Sequence, residues 1–418
     1  MNAASRVAVI GLGYVGLPTA ASLAAAGLEV IGVDVNPAVV ESVSRGEAPL
    51  AEPELSAEVR RAVRAGRLKA SAQVPPADAY IVAVPTPLAA AGGAELGHVI
   101  AAVDAVADVL GGGETVVIES TVPPGTTRRM SARIAERRPG LDLPQRGGAG
   151  AGVAVAHCPE RVLPGRIMTE IAANDRLIGG ITPSCAARAA GLYRAFCSGE
   201  LILTDSDTAE MAKLAENSYR DVNVAFANEL ANVCDQLGLD VWEVRQLANR
   251  HPRVDILRPG PGVGGHCIAV DPWFIVDAAP GAAPLIRAAR MVNDGRPELV
   301  ASRIIAAHRR RGGGVACLGL SYKAEVGDLR GSPAAQIVRR VAEALPGAAV
   351  LAADPFVTAL PGPLAALGNV VLASAPDAVR QASVVALLVD HGCFRAITGG
   401  QLAGKTVCDT RGMWSERA

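Results

Sequence analysis

The chain has 418 residues, half of them hydrophobic and 19% charged, with a formal net charge of -1. That length exceeds what a single core serves well, so more than one domain is expected. The even charge balance lacks the basic excess that nucleic acid or an anionic membrane surface demands, so neither is expected as a partner.

Aromatic residues make up only 3% of the chain, which leaves Ala, Val, Leu and Ile to build the cores. The eight cysteines form no C-x-x-C pair and no zinc spacing, so no metal or disulfide framework is expected. A reducing cytoplasm suits such thiols, and all of them except Cys267 are expected to be buried as small apolar residues.

The stretch from Val7 to Leu28 carries no charge, yet four glycines and Pro18 break it. It therefore reads as a strand, a tight turn and an Ala-rich helix rather than a signal peptide or membrane span. No other segment makes a better membrane candidate. Further strands are expected at Val30–Val33, Tyr80–Val84, Val116–Glu119 and Val153–Ala156, after the first at Val7–Ile10. Their alternation with helical patterns predicts βαβ units and a parallel sheet. Residues 139–152 are rich in Gly and Pro and read as a surface loop, and Leu201–Leu203 closes the domain.

A long helix follows. Asp207 is expected to cap it, with Glu210 as reciprocal partner, and Met211, Leu214, Val222, Phe226, Leu230, Val233 and Leu237 keep helical spacing up to Gly238. A second helix is expected from Asp240, with Glu243 at its third position. Strand signals return after Gly312, at Val315–Leu318, Ala349–Ala352, Val370–Leu372 and Val384–Leu388, with a helix over Pro333–Leu345. This second α/β part lacks GxGxxG, so it is expected to form half of a cleft and to bind no second dinucleotide. The expected fold is α/β: two Rossmann-like domains with parallel sheets, joined by a long central helix and a helical middle region. The segments are 1–205, 206–300 and 301–418.

In VAVIGLGYVGLPTAASL, Gly11 permits the tight turn, Gly13 lets backbone approach a pyrophosphate, and Gly16 lets helix and strand pack closely. Asp34 ends the second strand, where an acid binds ribose hydroxyls. A carboxylate there repels a 2′-phosphate, so NAD is favoured over NADP. FAD is the rival, and no second flavin signature is present. A glycine turn serving packing alone is the plainer alternative.

The chemistry points to PGPGVGGHCIAVDPW. Gly262, Gly264 and Gly265 allow close backbone approach to a ligand and a nest of N–H groups. Cys267 follows, with Asp271 four positions on. A helix beginning at Cys267 would lower its thiol pKa from about 8.5. A thiol beside a nicotinamide can hold an aldehyde while a second hydride leaves, taking an alcohol to an acid in one site. A lone cysteine is otherwise a buried apolar residue. Lys213 and Asn217 lie four apart on one helix face and could hold an oxyanion or a water, or be a solvated surface pair. Thr121, in ESTVPPGTT, follows a strand and could position water or serve the turn. Glu160, in CPERVLPG, could be a base or an ion-pair partner.

Together GLGYVGLP, ESTVPPGTT, CPERVLPG, KLAENSYRDVNVAFANEL, GPGVGGHCIAVDP and GLSYKAEVGDLRGSPA resemble, in order and over essentially the whole chain, the UDP-glucose/GDP-mannose dehydrogenase family. The resemblance implies a four-electron oxidation at C6 of a sugar nucleotide, with Cys267 carrying first a thiohemiacetal and then a thioester. Water held by Thr121, Asp271 and Lys213 would release the uronic acid. Lys213 and Asn217 match the KLxEN positions near C6, and Glu160 matches the acid of the PE motif. The implied NAD contacts are Gly11, Gly13, Tyr14, Val15, Gly16, Asp34, Thr86 and Thr121. The implied substrate contacts are Glu160, Arg161, Val162, Lys213, Asn217, Arg253, Gly264, Lys323, Arg330 and Arg411.

Within the family, CPERVLPG, NRHPRV and GGHCIAVDPWF are most like members that oxidise UDP-N-acetyl-D-mannosamine, which implies that substrate and a role in making a surface-polysaccharide precursor. UDP-glucose, UDP-N-acetylglucosamine and GDP-mannose are the alternatives, and a silent nucleotide-sugar-binding protein is the non-enzyme alternative. The resemblance also implies a homodimer built on the central helices, with Arg253 reaching the partner's site. One departure stands out: Gly327 and Gly331 replace two acids of the family's D-D-x-R-E-S pattern, leaving Asp328 and Arg330, and the two lost charges are expected to loosen the ordering of Arg330.

Overall fold

The computed structural model describes residues 5–49, 52–90, 92–146, 152–162 and 165–414. The expected loop at 139–152 thus lies partly outside the described residues, as do Leu163 and Pro164 of CPERVLPG. The chain divides into two compact units, residues 1–216 and 217–418.

In the first unit the chain runs β1 (Arg6–Ile10), α1 (Gly16–Ala25), β2 (Glu29–Val33), α2 (Pro37–Ser44), α3 (Pro53–Arg64), β3 (Leu68–Ser71), β4 (Ala79–Val82), α4 (Gly97–Val109) and β5 (Thr115–Ile118). It continues through α5 (Thr126–Arg137), β6 (Ala154–His157), α6 (Ile167–Ala173), β7 (Arg176–Gly180), α7 (Pro183–Tyr193) and β8 (Leu201–Asp205). The sheet order is β3-β2-β1-β4-β5-β6-β7-β8, and its first six strands are the doubly wound order of a dinucleotide fold. Alternate side chains of β1 feed two cores, Val7 and Val9 on one face and Ala8 and Ile10 on the other. The sheet is not wholly parallel. β7 pairs antiparallel with β6, through Ala156–Gly180 and His157–Gly179, and β8 then follows β7 in parallel.

Three strands carried too weak a pattern to be expected. LKAS in β3 buries only Leu68. RLIGG in β7 opens on a charge and closes on two glycines, and TVCD ends the second sheet with no fully buried residue.

The central helix α8 (Ser206–Leu237) is 32 residues long and continues directly from β8. Its cap is not Asp207. Asp205, the last residue of β8, accepts the Thr208 amide at 2.9 Å and its hydroxyl at 2.6 Å. Asp207 instead pairs with Arg128 at 2.5 Å, and Glu210 turns to the start of α5. The strand runs two residues further than expected and the cap falls two residues earlier, so strand and helix meet with no loop between them. Gly238, at φ +68°, ends α8.

In the second unit, α9 (Val241–Ala248) is capped by Asp240, which accepts the Trp242 amide at 2.8 Å. Then come α10 (Asp271–Ala278), α11 (Pro284–Arg311), β9 (Gly314–Leu318), α12 (Pro333–Ala344), β10 (Val350–Ala353), β11 (Val370–Leu372), β12 (Ala382–Leu387) and β13 (Thr406–Asp409). The sheet is all parallel, in the order β11-β10-β9-β12-β13. Its inner strands β9, β10 and β12 are apolar on both faces, as a sheet covered by helices on each side requires. Among the described residues no helix is long and apolar enough to cross a membrane.

Candidate active site

At the carboxyl edge of the first sheet, the β1 turn meets the terms of a dinucleotide loop. Gly11 sits at φ +93°, and a Cβ there would lie 2.5 Å from the Ala83 carbonyl. A Cβ on Gly16 would lie 1.9 Å from the Gly11 carbonyl, so only glycine lets α1 pack this close. A Cβ on Gly13 meets nothing within 4 Å; that face is open for a phosphate. At the N-terminus of α1, Val15 makes no side-chain cap; Leu17 N donates to the Gly13 carbonyl at 3.2 Å and Pro18 has no N–H, so the Gly16 amide is the first-turn group that can face an anion. Asp34 accepts the Leu12 amide at 2.9 Å and the Asn36 amide at 2.8 Å, which ties the ribose-side acid to the glycine turn. Tyr14 reaches Glu52 at 3.4 Å, and Thr86 Oγ1 donates to the Thr121 carbonyl at 2.7 Å, joining the turns after β4 and β5. These residues fit NAD.

Glu160 sits after β6 in a buried cluster the sequence did not announce. Arg176 Nη2 donates to Glu160 Oε2 at 3.1 Å, and Arg176 Nη1 lies 3.5 Å from Glu119 Oε1. Thr19 and Tyr193 also donate to Glu119, at 3.0 and 3.2 Å. Burial pushes Glu119 up and Arg176 pulls it back. The ion-pair reading of Glu160 is thus the one its surroundings supply. Arg161 makes a two-pronged contact with Glu216, at 3.1 and 2.6 Å, and Val162 beside it is half-buried. The cluster escaped the sequence reading because Glu119 ends a strand run and Arg176 opens an unexpected one.

On α8, Lys213 and Asn217 stand one turn apart, both half-buried. One turn before Lys213, Glu210 accepts from the Gly125 amide (2.6 Å) and from Thr127 N (2.7 Å) and Oγ1 (2.6 Å). Burial raises this carboxyl while the three donors pull against it. The bonds fix the ESTVPPGTT turn to the helix that carries Lys213.

Within the second unit, Asn217 Nδ2 donates to Asp271 Oδ2 at 2.5 Å. Asp271 is buried in the first turn of α10. Cys267 is exposed. No helix begins at Cys267: its carbonyl accepts the amides of Val270 (3.0 Å) and Asp271 (2.8 Å), so it sits in a turn one step ahead of α10. The expected helix start at the sulfur is thus displaced to Asp271. At His266, the residue before the thiol, burial and then Arg330 push the imidazole pKa down.

The glycines hold the loop in a narrow slot. A Cβ on Gly264 would lie 2.7 Å from Pro333 Cδ, 2.8 Å from the Gly331 carbonyl and 2.8 Å from Tyr322 Cβ. The loop is tied at both ends. Asn228 accepts the Gly260 amide at 2.8 Å and Arg296 donates to the Gly260 carbonyl at 2.9 Å, while buried Arg290 lies 3.5 Å from the Ile268 carbonyl. Sequence spacing could not reveal these anchors, because α8 and α11 bring them from far along the chain.

A cavity of about 240 Å³ opens at the carboxyl edge of the second sheet, walled by Pro261, Gly262, Ser321, Tyr322, Lys323, Asp390 and Arg411 among others. Arg411 Nε pairs with Asp390 at 2.9 Å. Arg330 is not in that wall. It is exposed, with its Nε 3.0 Å from both Asp328 oxygens and its Nη2 2.6 Å from Oδ2, so Asp328 orders it without the two acids replaced by Gly327 and Gly331. Arg253 is exposed in a turn after α9, apart from the cavity walls. Of the cysteines expected to be buried, Cys158, Cys185, Cys234 and Cys317 are; Cys197, past the end of α7, and Cys408, on the edge strand β13, are half-buried, and Cys393, in a short turn after β12, is exposed.

Comparison with known proteins agrees along the chain. Residues 5–197 match the NAD binding domain of the UDP-glucose/GDP-mannose dehydrogenase family, 207–295 its central domain and 316–416 its UDP binding domain. The chain is 50% identical over 412 residues to an NDP-N-acetyl-D-galactosaminuronic acid dehydrogenase of Ralstonia nicotianae, covering 98% of this chain and 96% of that one. It is 49% identical to a UDP-N-acetyl-D-mannosamine dehydrogenase of Yersinia pestis, covering 98% and 99%. A solved UDP-D-ManNAc dehydrogenase of Pyrococcus horikoshii superposes with a TM-score of 0.86 at 34% identity, over 98% of this chain and 96% of that one. The chain belongs to the UDP-glucose/GDP-mannose dehydrogenase family and is an NAD-dependent nucleotide-sugar dehydrogenase.

Proposed function

We propose that the enzyme oxidises C6 of UDP-N-acetyl-D-mannosamine to the uronic acid, with Cys267 as covalent nucleophile. The observation that carries this is an exposed thiol on a tightly packed glycine loop, four residues before buried Asp271, which accepts from Asn217. Bound NAD supplies the hydride acceptor for each of the two oxidations, held at Gly11, Gly13, Tyr14, Val15, Gly16, Asp34, Thr86 and Thr121. Cys267 Sγ attacks the aldehyde carbon, and its thiohemiacetal keeps that carbon in place between oxidations. At the thioester stage water attacks the same carbon and Sγ leaves as thiolate. Lys213, Asn217, Asp271 and Thr121 order that water and steady the oxyanion. Glu160, Arg161 and Val162 shape the sugar side.

Lys323 and Arg411, which line the second unit's cavity, take the UDP phosphates, and Gly264 and Arg330 add further substrate contacts. The proposed domain division is 1–205 for NAD, 206–300 for the helical middle and 301–418 for the UDP-sugar. A homodimer is supported by exposed Tyr219, Phe226, Val233 and Leu237 along α8 and Met291 and Leu299 on α11. That apolar stripe suits a second copy of the chain, and Arg253 then serves the partner's site. The product is an acidic building block for a surface polysaccharide, made in the cytoplasm.

A second reading, an N-acetylgalactosamine nucleotide, rests on the Ralstonia relative. Epimers differ by one substituent's direction, which a pocket discriminates by about 1–3 kcal/mol per misfit group. Turnover of UDP-N-acetylmannosamine, UDP-N-acetylgalactosamine, UDP-N-acetylglucosamine, UDP-glucose and GDP-mannose, with NADH counted per sugar, tests the proposal. Highest kcat/KM and two NADH on the mannosamine derivative are expected; preference for another sugar overturns the substrate assignment.

A further inference from the structure

The two units carry the same turn, used differently. In the first, Gly11 sits at φ +93° with its amide on the Val33 carbonyl at 2.7 Å; in the second, Gly319 sits at φ +96° with its amide on the Ala353 carbonyl at 2.7 Å. One residue past the second strand of each stands an aspartate. Asp34 accepts the Leu12 and Asn36 amides, at 2.9 and 2.8 Å. Asp354 accepts the corresponding Leu320 and Phe356 amides, at 2.8 and 2.9 Å.

Beyond this the match ends. Asp354 Oδ2 also takes the Ser321 amide (3.0 Å), the Ser321 hydroxyl (2.9 Å) and His391 Nε2 (3.1 Å). Four donors converge on Oδ2, so this carboxylate is engaged inside the protein more fully than its counterpart in the first unit.

His391 is fully buried between Phe356 and Phe394, with ring centroids at 5.4 and 5.5 Å. Its Nδ1 accepts the Glu325 amide at 3.1 Å, so the neutral ring bears its proton on Nε2 and donates to Asp354. Glu325 is the one non-glycine at positive φ among the described residues, at +62°. Its Oε1 accepts the Gly392 amide at 2.6 Å. Between Ser321, held by Asp354, and Glu325, held by His391, lie Tyr322, Lys323 and Ala324, all in the cavity wall.

We propose that His391 is a positioning residue that, bridging Asp354 and the Glu325 amide, fixes the strap bearing Lys323 and thereby sets affinity for the nucleotide. This rests on the reading of the cavity as the nucleotide-sugar site. It goes beyond that reading by naming a residue that touches no ligand yet decides how tightly one is held.

The test is calorimetric titration of the full-length enzyme with UDP alone, so the identity of the sugar does not enter. Asparagine reproduces the Nδ1 acceptor of histidine and glutamine the Nε2 donor. His391→Asn should therefore keep most of the UDP affinity, and His391→Gln should lose about tenfold, the effect of a displaced binding group. NAD affinity and the alkylation rate of Cys267 should hold in both. In turnover, His391→Gln should raise the sugar-nucleotide KM with kcat within about twofold. Wild-type UDP affinity in His391→Gln, or equal losses of UDP and NAD affinity, overturns the proposal. A wild-type enzyme that binds its sugar nucleotide but shows no UDP affinity overturns the cavity reading and the strap's role with it.

Discussion

Adding one methyl group at Gly264 tests the slot that holds the nucleophile loop. Carbon contacts relax near 3.5–4.0 Å, and the new Cβ would meet Pro333 Cδ at 2.7 Å and Gly331 O and Tyr322 Cβ at 2.8 Å. Something must therefore move by about 1 Å. The α12 side is fixed: Ser332 Oγ accepts the Ala335 amide at 3.2 Å and donates to the Leu320 carbonyl at 2.6 Å. The cysteine loop has no regular structure and yields first. Overpacking of this kind costs about 1–3 kcal/mol, and a reacting atom misplaced by about 1 Å costs on the order of a hundredfold in rate. Gly264→Ala should lower kcat/KM by about 10–100-fold, with NAD affinity unchanged and only a few degrees lost in Tm. Gly281→Ala, where a Cβ meets nothing within 4 Å, should be silent. Near-parental kcat/KM in Gly264→Ala would refute the packing argument.

Asp34→Ala should weaken NAD binding by about 1–3 kcal/mol while sparing UDP affinity; equal loss of both would contradict the ribose assignment. Burial pushes the Cys158 and Cys317 thiols up to about 12, so iodoacetamide at pH 8 should label exposed Cys267 and Cys393 and leave those two unmodified, as peptide mass mapping would reveal. Burial raises Asp354, but hydrogen bonds from His391 and from the Leu320, Phe356 and Ser321 amides outweigh it and hold the carboxyl well below the ordinary range. Its folded pKa is depressed, so its contribution is present above about pH 4 and fades as pH falls toward the folded value. Asp354→Asn should be less stable than the parent at pH 7, with the gap narrowing only in strong acid; a gap that closes already near pH 6 would rule this out.

The first unit was legible because its motifs are local. One turn between β1 and α1 holds all three glycines, and Asp34 sits where the second strand must end. β3, β7 and β13 were hidden by short, mixed sequences whose partners, not their own pattern, make them strands. The Glu119–Arg176–Glu160 cluster joins residues up to 57 apart. The Asn217–Asp271 bond spans 54. No spacing rule reaches across such distances. Asp207 and Glu210 looked like a cap by local pattern, yet tertiary partners, Arg128 and Thr127, claimed both. The same limit applied to Cys267, whose loop is shaped by Tyr322 and Pro333, residues that approach it only in the folded unit.

The central claim is that Cys267 holds the sugar carbon between the two oxidations. Acid-quenched enzyme in steady turnover with UDP-N-acetylmannosamine and NAD, digested and mapped by mass spectrometry, tests it directly. A sugar-nucleotide adduct on the Cys267 peptide, absent when NAD is withheld and in Cys267→Ser, is the expected result. Two NADH formed per sugar by Cys267→Ser at the parental rate, with no adduct on the Cys267 peptide of the parent enzyme, would contradict it.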